Sequence, residues 1–238
     1  MHTIAIIPAR GGSKGIPKKN ITDFCGHPRL AWTIACCLRC RSLEGIYVST
    51  DDAGIAAVAR RYGAEVVRRP AELSTDAADS ESAVIHALDE VESKGGNRVE
   101  AVLFLQATSP LREASELEGA LAKFKEEKLD SLFCAAELES MSIWREEQGV
   151  LRSWNYDFNH RKRRQDARDA ARQYVETGSF YITRPQLLRD KHNRLGGTIG
   201  IWQVPIWKHF EIDVPEDLQI CELFMRRYRL DQSPPDPL

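Results

Sequence analysis

Apolar and polar positions along the chain alternate between two periods. Short apolar runs such as Thr3–Ile7 and Val102–Gln106 are typical of buried strands. Segments such as Ser80–Glu92 carry apolar residues three and four positions apart, which is typical of amphipathic helices. The same reasoning predicts strands at Ile46–Thr50, Glu65–Val67 and Ser131–Ala136, and helices at Leu30–Arg41, Ala53–Tyr62 and Ala114–Lys125.

This alternation predicts an α/β fold with three layers. Strand–helix–strand connections favour a mostly parallel sheet with helices on both faces, in a Rossmann-like arrangement. Ligands of such sheets bind at the carboxyl ends of the strands. Three polar segments fall there, namely the loop after Ile7, Ser49–Asp52 and Gln106–Pro110. We therefore expect the functional site at this edge of the sheet.

The pattern is interrupted between about Leu138 and Arg172. This segment is polar, holds Trp144 and Trp154, and contains the basic run His160–Arg164. Regular elements then return, with strands predicted at Tyr174–Ile182, Gly200–Val204 and Phe210–Asp213 and a helix at Pro215–Arg227. We interpret residues 1–230 as one domain with an insertion at about 138–172. The proline-rich tail, residues 231–238, is predicted to be disordered.

Composition and charge exclude several classes of protein. A hydrophobic content of 42% is ordinary for a globular chain, and a net charge of −2 argues against a general nucleic-acid binder. No apolar run reaches the roughly 18 residues of a membrane span, and the start of the chain lacks the layout of a signal peptide. Cys37 and Cys40 form a C-x-x-C pair late in a predicted helix, so we expect structural, reduced thiols. A cytoplasmic location fits these features.

The loop after the first strand has the composition of a phosphate site. It holds glycines, whose backbone N–H groups can approach a ligand closely, beside a hydroxyl and several cations. Its spacing matches neither the Walker pattern nor G-x-G-x-x-G, which excludes a Rossmann dehydrogenase. The simpler alternative is a solvated basic loop. The residues concerned are Arg10, Gly11, Gly12, Ser13, Lys14, Gly15, Lys18 and Lys19.

This loop resembles the first loop of the acylneuraminate cytidylyltransferases, Ala-Arg-x-x-Ser-Lys-Gly-x-Pro-x-Lys-Asn. The resemblance continues to about Tyr228, through Val48–Asp51, Val66–Leu73, Leu105–Arg112, Arg164–Gln165, Glu176–Tyr181 and Phe210–Leu218. It implies an enzyme that transfers CMP from CTP to the anomeric hydroxyl of a nonulosonic acid, a nine-carbon 2-keto sugar acid. Two positions depart from the family pattern, because Thr177 and Glu211 stand where the family has asparagine and aspartate.

The resemblance also implies a role for individual residues. Catalysis would rest on Arg10, Lys19 and Asp213. The nucleotide would be bound by Ala9, Arg10, Gly11, Gly12, Ser13, Lys19, Asn20, Arg69 and Ser80. The sugar acid would be bound by Gln106, Thr108, Ser109, Arg164, Gln165, Thr177 and Tyr181, with Arg163 and Arg172 as rivals of Arg164. Asp213 and Glu211 would hold Mg²⁺, or Mn²⁺ in its place, and the insertion at 138–172 would be the arm of a homodimer.

Simpler explanations exist for several of these residues. Ser80 and Asp213 could cap helices, Arg69 could be a solvated strand end, and Thr108 and Ser109 are ordinary turn residues. At the level of the whole chain, an eight-carbon acid such as Kdo, or a nucleotide-binding module without catalysis, are the alternatives. The presence of both Arg10 and Asp213 favours catalysis over the non-catalytic alternative. The sequence does not distinguish neuraminic, legionaminic, pseudaminic and deaminated acids.

Overall fold

The computed structural model describes residues 1–12, 16–94, 98–138, 141–161, 163 and 172–238. In chain order its strands are β1 (Thr3–Pro8), β2 (Asp23–Phe24), β3 (His27–Pro28), β4 (Gly45–Thr50), β5 (Glu65–Arg68), β6 (Ala101–Leu105), β7 (Ser131–Glu137), β8 (Trp144–Glu147), β9 (Val150–Ser153), β10 (Tyr174–Thr183) and β11 (Ile199–Val204). Its helices are α1 (Arg29–Leu38), α2 (Ala53–Arg61), α3 (Ser80–Ser93), α4 (Ala114–Glu126), α5 (Pro185–Lys191) and α6 (Pro215–Arg227).

Seven strands form the central sheet, in the order β11-β7-β10-β6-β1-β4-β5. Every pair is parallel except those of β10, which runs antiparallel to both β6 and β7. The chain leaves β7 at Glu137 and re-enters the sheet at Tyr174, its direct partner, so the returning strand must run the other way. The predicted α/β fold with a mostly parallel sheet is confirmed.

Helices cover both faces of the sheet. On one face α1, α2 and α4 bury Leu30, Ala59 and Phe124 against β1 and β6. On the other face α3 and α5 bury Leu88 and Leu188. Strand β1 lies between these layers with Ile4 to Ile7 at most 1% exposed, which explains its unbroken apolar run.

The segment Phe210–Asp213 is not a strand, contrary to the sequence-based expectation. It is an extended loop between a 3-10 turn at Ile206–His209 and α6, and it pairs with no strand of the sheet. The backbone N–H of Ile212 instead donates to the Thr108 carbonyl at 2.8 Å. Ile212 is fully buried, as its apolar character predicts, so burial produced a strand-like pattern without a strand ladder.

Three further elements differ from the prediction or were not predicted. The inserted segment contains a hairpin of β8 and β9, and α5 follows β10 directly. The tail is not free of contacts: the Leu238 N–H donates to the Arg61 carbonyl at 2.8 Å, and Pro235 is buried. A proline-rich composition disfavours regular structure but does not prevent docking on a neighbouring helix.

The six cysteines are all free thiols, and five of them are buried. Burial raises the pKa of the Cys40 thiol to about 12 and that of the Cys37 thiol well above its ordinary value, which makes both unreactive at neutral pH. The structural interpretation of the C-x-x-C pair is thus supported. No helix in the described part of the chain is long and apolar enough to cross a membrane.

Candidate active site

A cleft of about 440 Å³ lies where β1, β5 and β6 end at the same edge of the sheet. We call it the central cleft. The sequence-based location of the functional site agrees with this position. Predicted site residues in its wall are Arg10, Gly12, Lys19, Asn20, Arg69, Ser80, Gln106, Thr108 and Asp213; Pro8, Ala78, Asp79, Phe104 and Ala107 complete the wall.

The first loop is held at its base by the neighbouring strand ends. The Ala9 N–H donates to the Ser49 carbonyl at 2.9 Å, and the Gly11 N–H donates to Asp51 Oδ1 at the same distance. A side chain at Gly11 would meet Asp52, so the close approach requires glycine here. These two residues therefore shape the loop rather than line the cleft. Ser13 lies outside the described residues.

Arg10 lines the cleft and pairs with the segment that precedes α3. Its NH1 donates to the Thr75 carbonyl at 2.9 Å and to Asp76 Oδ1 at 2.8 Å. The side chain of Asp76 is 54% exposed, so this ion pair is open to solvent. A guanidinium with a solvent-exposed partner can exchange that partner for a ligand phosphate at small cost.

Lys19 and Asp213 meet in the cleft, although 194 positions separate them in the sequence. The Lys19 ammonium donates to Asp213 Oδ1. Asp213 does not cap α6: the carboxylate of Asp217 accepts the backbone N–H groups of Asp213 and Val214 at 2.9 and 3.0 Å. The helix-cap alternative for Asp213 is thus wrong, and its carboxylate faces a cation instead.

Arg29 joins the two loops that carry this pair. Its NH1 donates to the Ile212 carbonyl at 3.0 Å and its NH2 to Asn20 Oδ1 at 3.1 Å, while Asn20 Nδ2 donates to the Arg10 carbonyl at 3.0 Å. Arg29 is 1% exposed, and burial lowers the pKa of its guanidinium to about 10. Sequence reasoning missed this residue, because nothing in the local pattern separates it from any arginine at a helix start.

Glu211 lies beside Asp213 but makes a different set of contacts. Ser109 Oγ donates to Glu211 Oε1 at 3.0 Å, and the same carboxylate lies against the Gly178 backbone, where a Cβ would collide with it. Burial, opposed by the Ser109 hydrogen bond, and repulsion from Asp213 raise the pKa of Glu211. Neither Glu211 nor Ser109 is among the residues that line the central cleft.

The opposite wall of the cleft is formed by the end of β5 and the start of α3. Arg69 is 6% exposed; its Nε donates to Ser49 Oγ at 3.1 Å and its NH2 to the Ser49 carbonyl at 2.7 Å. The solvated-strand-end alternative is wrong for Arg69. Asp79 caps α3 by accepting the Ser82 N–H at 2.6 Å, so Ser80, which lines the cleft, does not cap the helix.

The predicted sugar-acid residues divide into two groups. Gln106 and Thr108 line the cleft, with Thr108 Oγ1 donating to Gln106 Oε1 at 3.3 Å. Thr177 and Tyr181 do not. Thr177 is 1% exposed and donates to the Cys134 carbonyl at 3.2 Å, and Tyr181 donates to Glu176 Oε2 at 2.9 Å. The hydroxyl groups of both residues are thus hydrogen-bonded to neighbouring residues of β7 and β10.

The inserted segment carries the remaining predicted residues. Arg164 and Gln165 lie outside the described residues. Their rivals Arg163 and Arg172 are exposed, and neither lines the central cleft.

The donor set of the cleft fits a divalent cation shared with a phosphate ligand. No group of three or more His, Cys, Asp or Glu side chains that could hold a metal occurs among the described residues. Mg²⁺, however, is commonly bound through one or two carboxylates, substrate phosphates and water. Asp213 offers a carboxylate that is 63% exposed and balanced by Lys19, which is what such a shared site needs.

Comparisons with known proteins agree with this geometry. The sequence profile of a family described as cytidylyltransferase matches residues 4–228. A pseudaminic acid cytidylyltransferase of Campylobacter jejuni subsp. jejuni serotype O:23/36 is 32% identical, over 95% of this chain and 97% of the relative. An N-acylneuraminate cytidylyltransferase of Oncorhynchus mykiss is 32% identical over 95% of this chain, which spans 51% of that longer protein.

Solved structures share the fold. The CMP:2-keto-3-deoxy-manno-octonic acid synthetase complexed with CTP superposes with a TM-score of 0.70 at 17% identity, over 96% of this chain and all of that one. The 4-diphosphocytidyl-2C-methyl-D-erythritol synthase of Anaerococcus prevotii superposes with a TM-score of 0.65 at 12% identity, over 95% and 96%. The profile match and the full-length relatives show that the chain belongs to the cytidylyltransferase family and is a nucleotidyltransferase.

Proposed function

We propose that this enzyme transfers CMP from CTP to the anomeric hydroxyl of a nonulosonic acid. The hydroxyl oxygen forms a bond to the α-phosphorus, the bond from that phosphorus to the bridging oxygen breaks, and pyrophosphate and a proton are released. The observation that carries the proposal is the meeting of Lys19 and Asp213 in a cleft that also holds Arg10. The full-length relatives named for pseudaminic and N-acylneuraminic acid support the choice of acceptor.

The chain's own residues supply position and charge. Arg10 and Lys19 neutralise the triphosphate, which lowers the cost of adding negative charge at phosphorus and of releasing pyrophosphate. Their present partners Asp76 and Asp213 are exposed carboxylates that the triphosphate can replace. Arg29 and Asn20 fix the two loops relative to each other, so that the cations are placed before the ligand arrives.

Mg²⁺, or Mn²⁺, belongs to the proposal as the partner of Asp213. When bound, such an ion supplies Lewis acidity at a phosphoryl oxygen. Asp213 would be its direct protein ligand, because its carboxylate faces the cleft. Glu211 would support the site indirectly, since it does not line the cleft and its Oε1 accepts from Ser109. Chelation by EDTA is expected to abolish turnover, and added Mg²⁺ to restore it.

A substrate panel tests the proposed reaction. The enzyme is incubated with CTP and a set of nine-carbon acids, with Kdo as the eight-carbon comparison, and pyrophosphate release is measured. We expect release with at least one nonulosonic acid and a strong preference for CTP over UTP, because we place the cytosine against Arg69 and Ser80, which both line the cleft. Release with Kdo alone would establish the eight-carbon alternative, and CTP binding without release with any acid would leave a non-catalytic module.

A homodimer and a cytoplasmic location complete the proposal. The inserted segment exposes large apolar side chains, including Trp144 at 44%, Leu151 at 65% and Trp154 at 58%, whose exposure would be costly in an isolated chain. A second copy that covers them would bury this surface. Sedimentation of the intact chain is expected to give twice the mass of 26.9 kDa. Unpaired cysteines fit a reducing compartment.

A further inference from the structure

Helix α3 opens into the central cleft, but it is held from behind by the segment that follows α5. Asp79 and Ser80 at its start line the cleft. Behind them, His192 Nε2 lies 3.2 Å from the Asp79 carboxylate and 3.1 Å from Ser82 Oγ. Two residues further on, Arg194 reaches the same end of the helix.

Arg194 makes a two-pronged ion pair with Glu81, the neighbour of Ser80. Its Nε donates to Glu81 Oε1 at 2.7 Å and its NH2 to Glu81 Oε2 at 3.0 Å. Both side chains are largely buried, at 18% and 15% exposed. The parallel geometry fixes the orientation of both groups, which a lysine in place of arginine could not do.

The same guanidinium lies over two aromatic rings. Its central carbon is 4.5 Å from the ring centre of Phe104 and 4.8 Å from that of Tyr181, and the two rings stack with centres 5.6 Å apart. Phe104 itself lines the central cleft. Arg194 therefore contacts both Phe104, a residue of the cleft lining, and Glu81, the residue next to Ser80, without lining the cleft itself.

We propose that Arg194 is a positioning residue for nucleotide binding, which sets the distance between the start of α3 and the ring of Phe104 through its pair with Glu81. The inference rests on the proposed function only in taking CTP as the ligand of the cleft. The backbone of Arg194 is anchored as well, because Thr183 Oγ1 donates to its carbonyl at 2.5 Å. Through these contacts Arg194 links β10 to Glu81 and Phe104 beside the cleft.

A second arginine that binds α3 provides a matched control. Arg189 of α5 donates to Asp89 Oδ1 at 3.0 and 2.6 Å and to Glu92 Oε2 at 2.6 Å. These acceptors lie more than two turns of α3 beyond Ser80, on the order of 12 Å along the axis. Loss of Arg189 therefore removes an ion pair between α5 and α3, close in sequence to the pair that Arg194 makes from the following segment, without changing a residue that lines the cleft.

Calorimetric titration with CTP separates positioning from general stabilisation. We expect Arg194→Met to weaken CTP binding about tenfold, and Arg189→Met to change it less than about twofold, although both lower the melting temperature. Arg194→Lys should recover little, because it lacks the two-pronged geometry, and Glu81→Gln should lie between. In turnover, the KM for CTP should rise while the KM for the sugar acid stays constant.

Equal CTP affinity in Arg194→Met, Arg194→Lys and Arg189→Met would overturn the inference and leave the proposed function intact. If Arg194→Met fails to fold, Arg194→Lys and Glu81→Gln decide the question, because both keep most of the side-chain volume. Absence of CTP binding in the unaltered enzyme would overturn the proposed function, and the inference with it.

Discussion

Two sets of cations surround the central cleft, and they differ in their partners. Arg10 and Lys19 point into the cleft and pair with the carboxylates of Asp76 and Asp213, whose side chains are 54% and 63% exposed. The second set is three buried arginines at most 6% exposed, which donate mainly to backbone carbonyls and to hydroxyl or amide side chains: Arg69, which lines the cleft, and Arg29 and Arg112, which do not.

This difference separates the cations that can bind a ligand from the buried arginines that stabilise the structure around the cleft. The carboxylates that pair with Arg10 and Lys19 are solvated, although the Lys19 side chain itself is only 15% exposed, so a ligand phosphate can replace either carboxylate without leaving it buried and unpaired. A buried guanidinium cannot leave its carbonyl without stranding it, which costs about 1–3 kcal/mol for each group. Burial lowers the pKa of Arg29 and of Arg69, which reflects how far their charges are removed from water. Arg10 and Lys19 are therefore the binding residues of the cleft. The three buried arginines are its frame residues, which hold the surrounding loops and strands in place.

The largest expected effect comes from removing a cleft cation. Lys19→Met should lower kcat/KM by roughly 10²- to 10³-fold, as loss of a single charge-stabilising group typically does. The melting temperature should change little, because its partner Asp213 is solvated. Arg29→Met is the opposite case: it strands the Ile212 carbonyl and Asn20 Oδ1 and should destabilise the fold by several kcal/mol.

Steady-state pyrophosphate release and thermal denaturation, measured on both variants, test this contrast. If Lys19→Met destabilises the protein as much as Arg29→Met does, the division between binding and frame residues is wrong.

The next largest effect should follow from neutralising Asp213. Asp213→Asn is expected to lower turnover on the order of 10²-fold, and to do so at saturating Mg²⁺. Glu211→Gln should cost less and raise the Mg²⁺ concentration that gives half-maximal rate. Asp217→Ala is the control, because Asp217 holds the start of α6: it should lose about 1 kcal/mol of stability and keep most of its turnover per folded molecule. Near-normal turnover in folded Asp213→Asn would exclude a role for this residue in metal binding.

Local pattern was sufficient to predict the frame of the fold and the residues at the strand ends. The alternation from Thr3 to Ala136 predicted the parallel strands because buried strands and amphipathic helices impose different periods. The glycines and cations of the first loop predicted its position in the site. Boundaries differed by a few residues at most, as for α1, which ends at Leu38 rather than Arg41.

Long-range contacts account for what the sequence did not predict. The direction of β10 depends on how the inserted segment returns to the sheet, which no local period encodes. The places of Arg29 and Arg194 depend on partners that lie 183 and 113 positions away. Thr177 was predicted to bind ligand from its place in a motif, whereas the bulge in β10 turns its hydroxyl to the Cys134 carbonyl inside the sheet.

A smaller effect is expected from adding a side chain at Gly178. This residue has φ of +64°, and a Cβ on it would collide with the carboxylate of Glu211. Gly178→Ala should cost about 1–3 kcal/mol through backbone strain and move Glu211 away from Ser109. Gly149→Ala, in the exposed hairpin at φ of +79° with no neighbour to collide with, controls for the strain alone. Denaturant unfolding should show a larger loss for Gly178→Ala, accompanied by lower turnover, and equal losses with unchanged turnover would show that Glu211 does not depend on this glycine.

The smallest expected effect concerns the pH dependence of stability that the Arg194–Glu81 ion pair causes. Burial tends to raise the pKa of Glu81, but the hydrogen bonds and charge of Arg194 outweigh it, and the pKa lies below its ordinary value of 4.5. A carboxyl whose pKa is lower in the folded state stabilises the fold at neutral pH, and this contribution is lost as the pH falls below about 4.5 through the folded value. The free energy of unfolding should therefore fall more steeply between about pH 5 and pH 3 in the unaltered enzyme than in Arg194→Met, where the partner is gone. Urea titrations across this range measure the two slopes. Identical slopes would mean that the pair contributes no charge-dependent stability and holds α3 by shape and hydrogen bonding alone.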